Sequence, residues 1–187
     1  MGSPATLITG DVDYHPSLDG HAERVTAIAG VVARRLGCRG HELRTIELGG
    51  PLHDVGKLTI AVDVLVKPGR LDAHELLQIR AHPVAGARLL DGVRGLRKAL
   101  PCVLHHHERW DGAGYPHGLA GKRIPLVARI LAVADAFDAM TTTRPYRDAM
   151  PAAAALAEVR RCSGSQFDPA ASRALLAAWD AGELPTP

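Results

Sequence analysis

Between Pro125 and Met140 the chain sets Leu126, Ile130, Leu131, Val133, Ala134, Phe137 and Met140 into one strongly apolar helical stretch. A helix that apolar belongs inside a bundle, covered by others. Asp135 and Asp138 nonetheless sit within it. A carboxylate between Val133 and Phe137 is costly to bury unless it is paired with, or bound to, a cation. Two partners stay open for Asp135 at this point: a metal ion, or Arg129 or another buried arginine.

The rest of the chain supplies the covering helices. Val25, Ile28, Ala29, Val32 and Leu36 recur at three- and four-residue steps from about His21 until Gly37 stops them. A second helix, marked by Leu43, Ile46 and Leu52, is expected to run toward His53 and Asp54. Residues 58–71, with Lys67-Pro68-Gly69, read as an ordered loop. Asp72 with Glu75 has the spacing of a capping box and opens a third helix. Pro83 opens a fourth, which puts His82 at a helix junction. A further helix, about residues 94–107 and bent near Pro101, ends in His105-His106-His107-Glu108. Residues 110–124 then hold a glycine-rich loop with little periodicity, and helices near 151–162 and 169–179 close the chain. No segment alternates apolar and polar residues in a sustained way. The expected fold is an all-α, single compact bundle of about seven helices with one long loop. Residues 1–20 read as a loose lead-in, 21–180 as the domain and 181–187 as a tail.

The chain has 187 residues, so one domain is expected to carry the function. Lys and Arg total 22 against 20 Asp and Glu, which argues against broad electrostatic binding of long nucleic acid or membrane. Three widely spaced cysteines without a CxxC pair fit neither a disulfide framework nor a zinc ribbon, and point to a reducing cytoplasm. No signal peptide or transmembrane run is legible. The outlying numbers are ten histidines against 4% aromatic residues, so histidine chemistry rather than ring stacking is the feature to follow.

His53-Asp54 puts an imidazole beside a carboxylate, donors that suit borderline or hard divalent ions; alone, such a pair is more often an ion pair or a cap. What raises its interest is the company of His21 at a helix start, His82 at a junction, His106 and His107 at a helix end, and Asp135 in the apolar helix. Each is a place from which a bundle can aim a side chain inward. Adjacent helical residues point about 100° apart, and His105 is taken as the member of its run that faces away. His15, His41, His74 and His117 read as surface residues.

These strings carry a family resemblance. His53-Asp54-Val55-Gly56-Lys57, Lys67-Pro68-Gly69, and the run from His106-His107-Glu108 through Asp111-Gly112-Ala113 to Gly114-Tyr115-Pro116 resemble the signature of the HD-GYP phosphodiesterases. Ala134-Asp135-Ala136-Phe137-Asp138, Arg144-Pro145-Tyr146-Arg147, Phe167-Asp168-Pro169 and His21-Ala22-Glu23-Arg24-Val25 extend it over most of the chain. The resemblance implies an all-helical enzyme that hydrolyses cyclic di-GMP to the linear dinucleotide pGpG, and in some members to GMP, through a hydroxide bridging two divalent metals, commonly iron or manganese. It implies metal ligands at His21, His53, Asp54, His82, His106, His107 and Asp135. By the same likeness one metal takes His21, His53 and Asp135, the other His82, His106 and His107, with Asp54 between them. Lys57, Arg144 and Arg147 would meet substrate phosphates, and Gly114, Tyr115 and Pro116 would approach the bases, with Tyr115 stacking on or hydrogen-bonding a guanine. Asp54 and Lys57 are the expected catalytic residues. Asp111 and Asp138 are expected to be structural, or to hold hydrogen bonds to ligand histidines.

Ser17 stands where some members carry an acidic residue for a third metal, and the nearest acid is Asp19, so a two-metal site is expected. No sensory domain is legible, so the protein is expected to work alone or to have its regulator in a separate chain or an omitted segment; a separate regulatory protein or a homodimer is the partner expectation. Two competing functions are an HD-superfamily hydrolase of another nucleotide and a non-catalytic cyclic-dinucleotide receptor. The Gly-Tyr-Pro loop with Arg144 and Arg147 argues against the first, and the full ligand set argues against the second.

Overall fold

A computed structural model of the chain describes residues 20–143 and 148–185. It is built from helices α1 (His21–Arg35), α2 (His41–Gly49), α3 (Val62–Leu65), α4 (Ala73–Arg80), α5 (His82–Leu90), α6 (Leu100–His105), α7 (Leu126–Thr141), α8 (Ala152–Arg161) and α9 (Pro169–Asp180). Among the described residues there is no strand, only an isolated bridge between Ser163 and Phe167. The all-α expectation stands, with more helices than the seven or so expected. One addition, α3, is a single turn inside the stretch read as a loop.

The apolar stretch forms α7, and its burial organises the rest. α1, α6, α8 and α9 pack on it, and α1 also contacts α2 and α9. Phe137, Ile130, Leu131 and Met140 of α7 meet Val25, Ile28 and Val32 of α1 and Leu175 of α9 in one cluster of buried residues. Fully burying a side chain of this size contributes about 1.5–3 kcal/mol, so this layer fixes the axis on which Asp135 is carried.

Three local features differ from the sequence reading. α2 ends at Gly49, not near His53, because Pro51 has no N–H with which to continue the helical ladder. His53 and Asp54 therefore lie in the turn that leads into a 3-10 turn, Val55–Thr59. The helix expected over residues 94–107 starts as a 3-10 turn, Leu96–Ala99, and α6 stops at His105, with Pro101 in its first turn. At the C-terminal end, Leu184 is buried in the main cluster and Glu183 makes two hydrogen bonds with Arg35, 2.7 and 2.9 Å. Residues 183 and 184 thus pack on the domain rather than fray. The lead-in expected over residues 1–20 lies, apart from Gly20, outside the described residues.

The capping box forms as expected. The Asp72 carboxylate accepts from the backbone N–H of His74 and Glu75, and Glu75 accepts from the Asp72 N–H. Gly56 is the tightest backbone approach behind the site: a Cβ there would lie 1.9 Å from the His82 carbonyl oxygen and 2.5 Å from Gly86 N. Only glycine lets the 3-10 turn lie against α5, which brings Asp54 next to His82.

Candidate metal centre

Five segments deliver the donors: the first residue of α1 (His21), the turn after α2 (His53, Asp54), the first residue of α5 (His82), the end of α6 (His106, His107) and the middle of α7 (Asp135). Their side chains converge. Asp54 Oδ1 lies 3.2 Å from His82 Nε2 and 3.7 Å from His106 Nε2, while Asp54 Oδ2 lies 3.4 Å from His53 Nε2. Asp135 Oδ1 is 3.3 Å from His21 Nε2 and 4.0 Å from His53 Nε2. The donors fall into two groups that share Asp54: His82, His106 and His107 on one side, His21 and His53 on the other. The seven residues named from the resemblance lie close together; Asp135 stands beside His21 and His53 without belonging to either group.

Most of the imidazoles are held from behind. His53 Nδ1 donates to Gly50 O (2.6 Å), His82 Nδ1 to Ile79 O (2.7 Å), and His106 Nδ1 to Cys102 O and Val103 O (3.1 and 3.0 Å). A carbonyl only accepts, so each Nδ1 carries the proton, and in the neutral ring each Nε2 presents a lone pair to the centre. His21 is oriented by a charge instead: its Nδ1 is 2.7 Å from Asp138 Oδ2, and Asp138 is in turn gripped by Arg24 through Nε at 2.6 Å and a terminal nitrogen at 3.1 Å. Asp138 thus takes the ligand-orienting role, one of the two readings open for it. Such outer contacts fix ring orientation and raise ligand basicity.

Lone pairs without protons make the arrangement a poor one for protein atoms alone. His82 Nε2 and His106 Nε2 face each other at 3.2 Å, and His53 Nε2, Asp54 Oδ1 and His107 Nε2 are buried without a hydrogen bond. A buried orphan polar atom costs roughly 1–3 kcal/mol. Divalent cations in the two groups would satisfy these atoms, and nitrogen with carboxylate oxygen suits the borderline ions. The residues therefore fit the metals that the resemblance implies.

The electrostatics point the same way. Burial by itself would raise the Asp54 carboxyl, but Lys57 and the adjacent histidines outweigh it and hold it well below the usual range. Lys57, itself buried, donates to Asp54 Oδ2 at 2.8 Å. Burial likewise opposes ionisation of Asp135, and His21 and His53 overcome it. Burial and neighbouring imidazoles push His106 down to about 4 and His107 well below its ordinary value, which leaves neutral rings ready to act as ligands. Burial disfavours the charged form of His21, yet Asp135 and Asp138 carry it up to about 10. Arg129, the alternative partner for Asp135, is used elsewhere: it pairs with Asp168 and donates to Ile124 O.

The glycine-rich loop closes over one side. Its Tyr115-Pro116 peptide is cis. Tyr115 stacks on His107, with centroids 4.9 Å apart and planes at 18°, and Arg80 lies 5.5 Å from the centre of the same ring. Gly114 packs where a Cβ would come within 2.3 Å of Arg109 N. Beneath the loop the buried Glu108 accepts from the backbone N–H of His117 (2.8 Å) and Leu119 (2.9 Å). A cleft lined by Arg80, His106, His107, Tyr115, Asp135 and Gln166 opens beside the donors. Arg24, Arg80 and Glu108 were not singled out by sequence reasoning. A basic residue in the first turn of α1 and an acid directly after the histidine run were the available signals for Arg24 and Glu108. Asp111 pairs with Arg109 and accepts from Ala113 N, away from the ligands. Arg144, Arg147, His15, Ser17 and Asp19 lie outside the described residues.

The chain is similar to known proteins in sequence and in fold. The HD domain family profile matches residues 12–171. The chain is 47% identical over 156 residues to the cyclic di-GMP phosphodiesterase response regulator RpfG of Xanthomonas campestris pv. campestris (strain 8004), covering 82% of this chain and 41% of that protein. It is 37% identical over 162 residues to 3'3'-cGAMP-specific phosphodiesterase 2 of Vibrio cholerae serotype O1, covering 86% of this chain and 31% of that protein. The chain therefore spans less than half the length of these curated relatives. Among solved structures, the HDG"Y"P protein Bd1817 of Bdellovibrio bacteriovorus superposes with a TM-score of 0.67 at 21% identity, over 86% of this chain and 51% of that one, and shares the helical fold.

Proposed function

The chain belongs to the HD domain family, and on that premise we propose that it is a phosphodiesterase of the HD-GYP kind that hydrolyses cyclic di-GMP to linear pGpG. The observation that supports the reading is the convergence of His21, His53, Asp54, His82, His106, His107 and Asp135, among which His53 Nε2, Asp54 Oδ1 and His107 Nε2 are buried without a hydrogen bond. We assign one divalent ion to His21, His53 and Asp135 and a second to His82, His106 and His107, with Asp54 shared; iron or manganese suits this donor set. Bound there, such ions supply Lewis acidity toward a phosphoryl oxygen and a water activated at neutral pH.

The protein's own groups do the rest. Asp54, kept ionised by Lys57, fixes the relation of the two donor groups to each other. Lys57 Nζ sits 2.8 Å from Asp54, where its charge can also meet a non-bridging phosphate oxygen as negative charge builds there. In the reaction the oxygen of water bonds to phosphorus, one P–O bond to a ribose breaks, and the departing oxygen takes up a proton. Gly114 and Tyr115 border the cleft from the loop side and, with Pro116, are assigned the base-contacting role, with Tyr115 also buttressing His107. Arg144 and Arg147 are assigned to substrate phosphates on the family resemblance.

A second substrate is favoured by one finding: a relative sharing 37% identity is named a 3'3'-cGAMP-specific phosphodiesterase. The test uses protein reconstituted anaerobically with iron or manganese, incubated with cyclic di-GMP or 3'3'-cGAMP, with products resolved by chromatography. A linear dinucleotide is expected with wild type and none with Asp54→Ala. No product from either dinucleotide under either metal would sink the proposal.

A further inference from the structure

A second set of donors lies outside the centre described above, among histidines that the sequence reading set aside as bystanders. His105 ends α6, Glu108 follows three residues later, and His117 reaches back from the glycine-rich loop. One donor atom from each lies within 4.8 Å of the others. His105 Nδ1 is 3.8 Å and His117 Nδ1 4.0 Å from Glu108 Oε1. We propose that His105, Glu108 and His117 form a separate site for one borderline divalent ion, zinc being the best fit, which clamps the loop to the end of α6.

Three observations support the site. His105 Nδ1 is buried and makes no hydrogen bond, a cost that a ligand relieves. Glu108 is held in place by the two loop amides it accepts. A carboxylate offers about four lone-pair positions, so Oε1 keeps capacity for a metal bond while it accepts from His117 N. The spacing is also suitable. Zinc bonds of about 2.0–2.2 Å in a tetrahedron set neighbouring donors about 3.3 Å apart. The 3.8 and 4.0 Å separations match those of the main centre, where His106 to Asp54 is 3.7 Å and His53 to Asp135 is 4.0 Å. The remaining closure falls to His117, whose side chain is 50% exposed and so has room to turn. Two imidazoles and one carboxylate with a solvent-facing fourth position is a donor set that zinc accepts.

The loop makes the site consequential. Glu108 holds His117 N and Leu119 N, while Tyr115 in the same loop donates its N–H to His107 O and stacks its ring on His107. An ion on Glu108 and His117 would therefore stiffen the segment that borders the cleft.

The experiment counts zinc per chain by elemental analysis after exposure to zinc and removal of the unbound ion, for wild type, His117→Ala, His105→Ala and Asp54→Ala. Each of the two histidine variants is expected to bind one zinc fewer than wild type. Asp54→Ala, which disrupts the main centre, is expected to keep the zinc-induced slowing of amide exchange at residues 117–119, and His117→Ala to lose it. Equal zinc counts in wild type and both histidine variants, or zinc-induced protection that survives in His117→Ala, would overturn the site. Circular dichroism checks that the variants are folded. None of these readings depends on phosphodiester hydrolysis, so the two proposals stand or fall separately.

Discussion

Replacing Asp138 by alanine tests whether the support behind the ligands is as important as its geometry implies. Asp138 is buried, with 2% of its surface exposed, and neutralises both Arg24 and the Nδ1 side of His21. Removing one member of a buried charge cluster costs about 3–5 kcal/mol. The Arg24 side chain is 25% exposed, so solvent screens part of its share, which places the expected loss at the low end, about 3 kcal/mol. Domains have roughly 5–15 kcal/mol in total, so the variant should fold but melt roughly 6–12 °C lower at this size. His21 loses the partner that fixes its ring, and metal affinity should fall roughly 10–100-fold. Urea unfolding of the metal-free protein measures the first effect, and competition with a chromophoric chelator the second. Asp138→Asn keeps the shape and one acceptor, so it should fall between the variant and wild type on both scales. A stability change below about 0.5 kcal/mol together with an unchanged metal affinity would refute the reasoning, because it would mean that His21 is oriented without Asp138.

Gly56→Ala places a methyl group 1.9 Å from the His82 carbonyl oxygen; separation of the 3-10 turn from α5 should cost more than about 3 kcal/mol and show as lost metal by elemental analysis. Glu108→Gln exchanges one of two accepted loop amides for a donor facing a donor, at a cost of roughly 1–3 kcal/mol, and the amides of His117 and Leu119 should exchange measurably faster. Lys57→Met should lower kcat on cyclic di-GMP about 100-fold, by analogy with the loss of one oxyanion donor, while metal content is retained; a variant that loses metal would trace the drop to Asp54 instead of to the phosphate contact.

The apolar period of α7 and α1 was legible because burial imposes it on every turn of a helix with one buried side. Boundaries decided by backbone crowding were less so. The end of α2 at Gly49 follows from Pro51, but the reading carried the helix on to His53 because Leu52 continues the apolar pattern. The packing of Leu184 and the pairing of Glu183 with Arg35 were hidden for another reason: a short polar C-terminal stretch shows no period, and its partner is 148 residues away. His105 was set aside because adjacent helical residues point about 100° apart, and the closeness of His117 to it was hidden because the loop between them has no periodic signal.

The histidines divide along the same line between local and distant causes. His53, His82 and His106 each donate Nδ1 to a carbonyl three or four residues back, so a histidine at a helix start, a helix end or a tight turn acquires its tautomer from its own backbone. Such positions can be named from sequence, since proline and glycine mark where turns fall. His21 is different: its orienting partner is 117 residues away on α7. The sequence cue for that pair was the cost of two acids in an apolar helix. Asp135 and Asp138 are three residues apart and so share one face of α7, where one meets the inward nitrogen of His21 and the other its outward nitrogen. His21 thus partners both buried acids, with Arg24 behind Asp138 and His53 beside Asp135, and the apolar helix tolerates the two carboxylates because each finds a cationic or polar partner across the bundle.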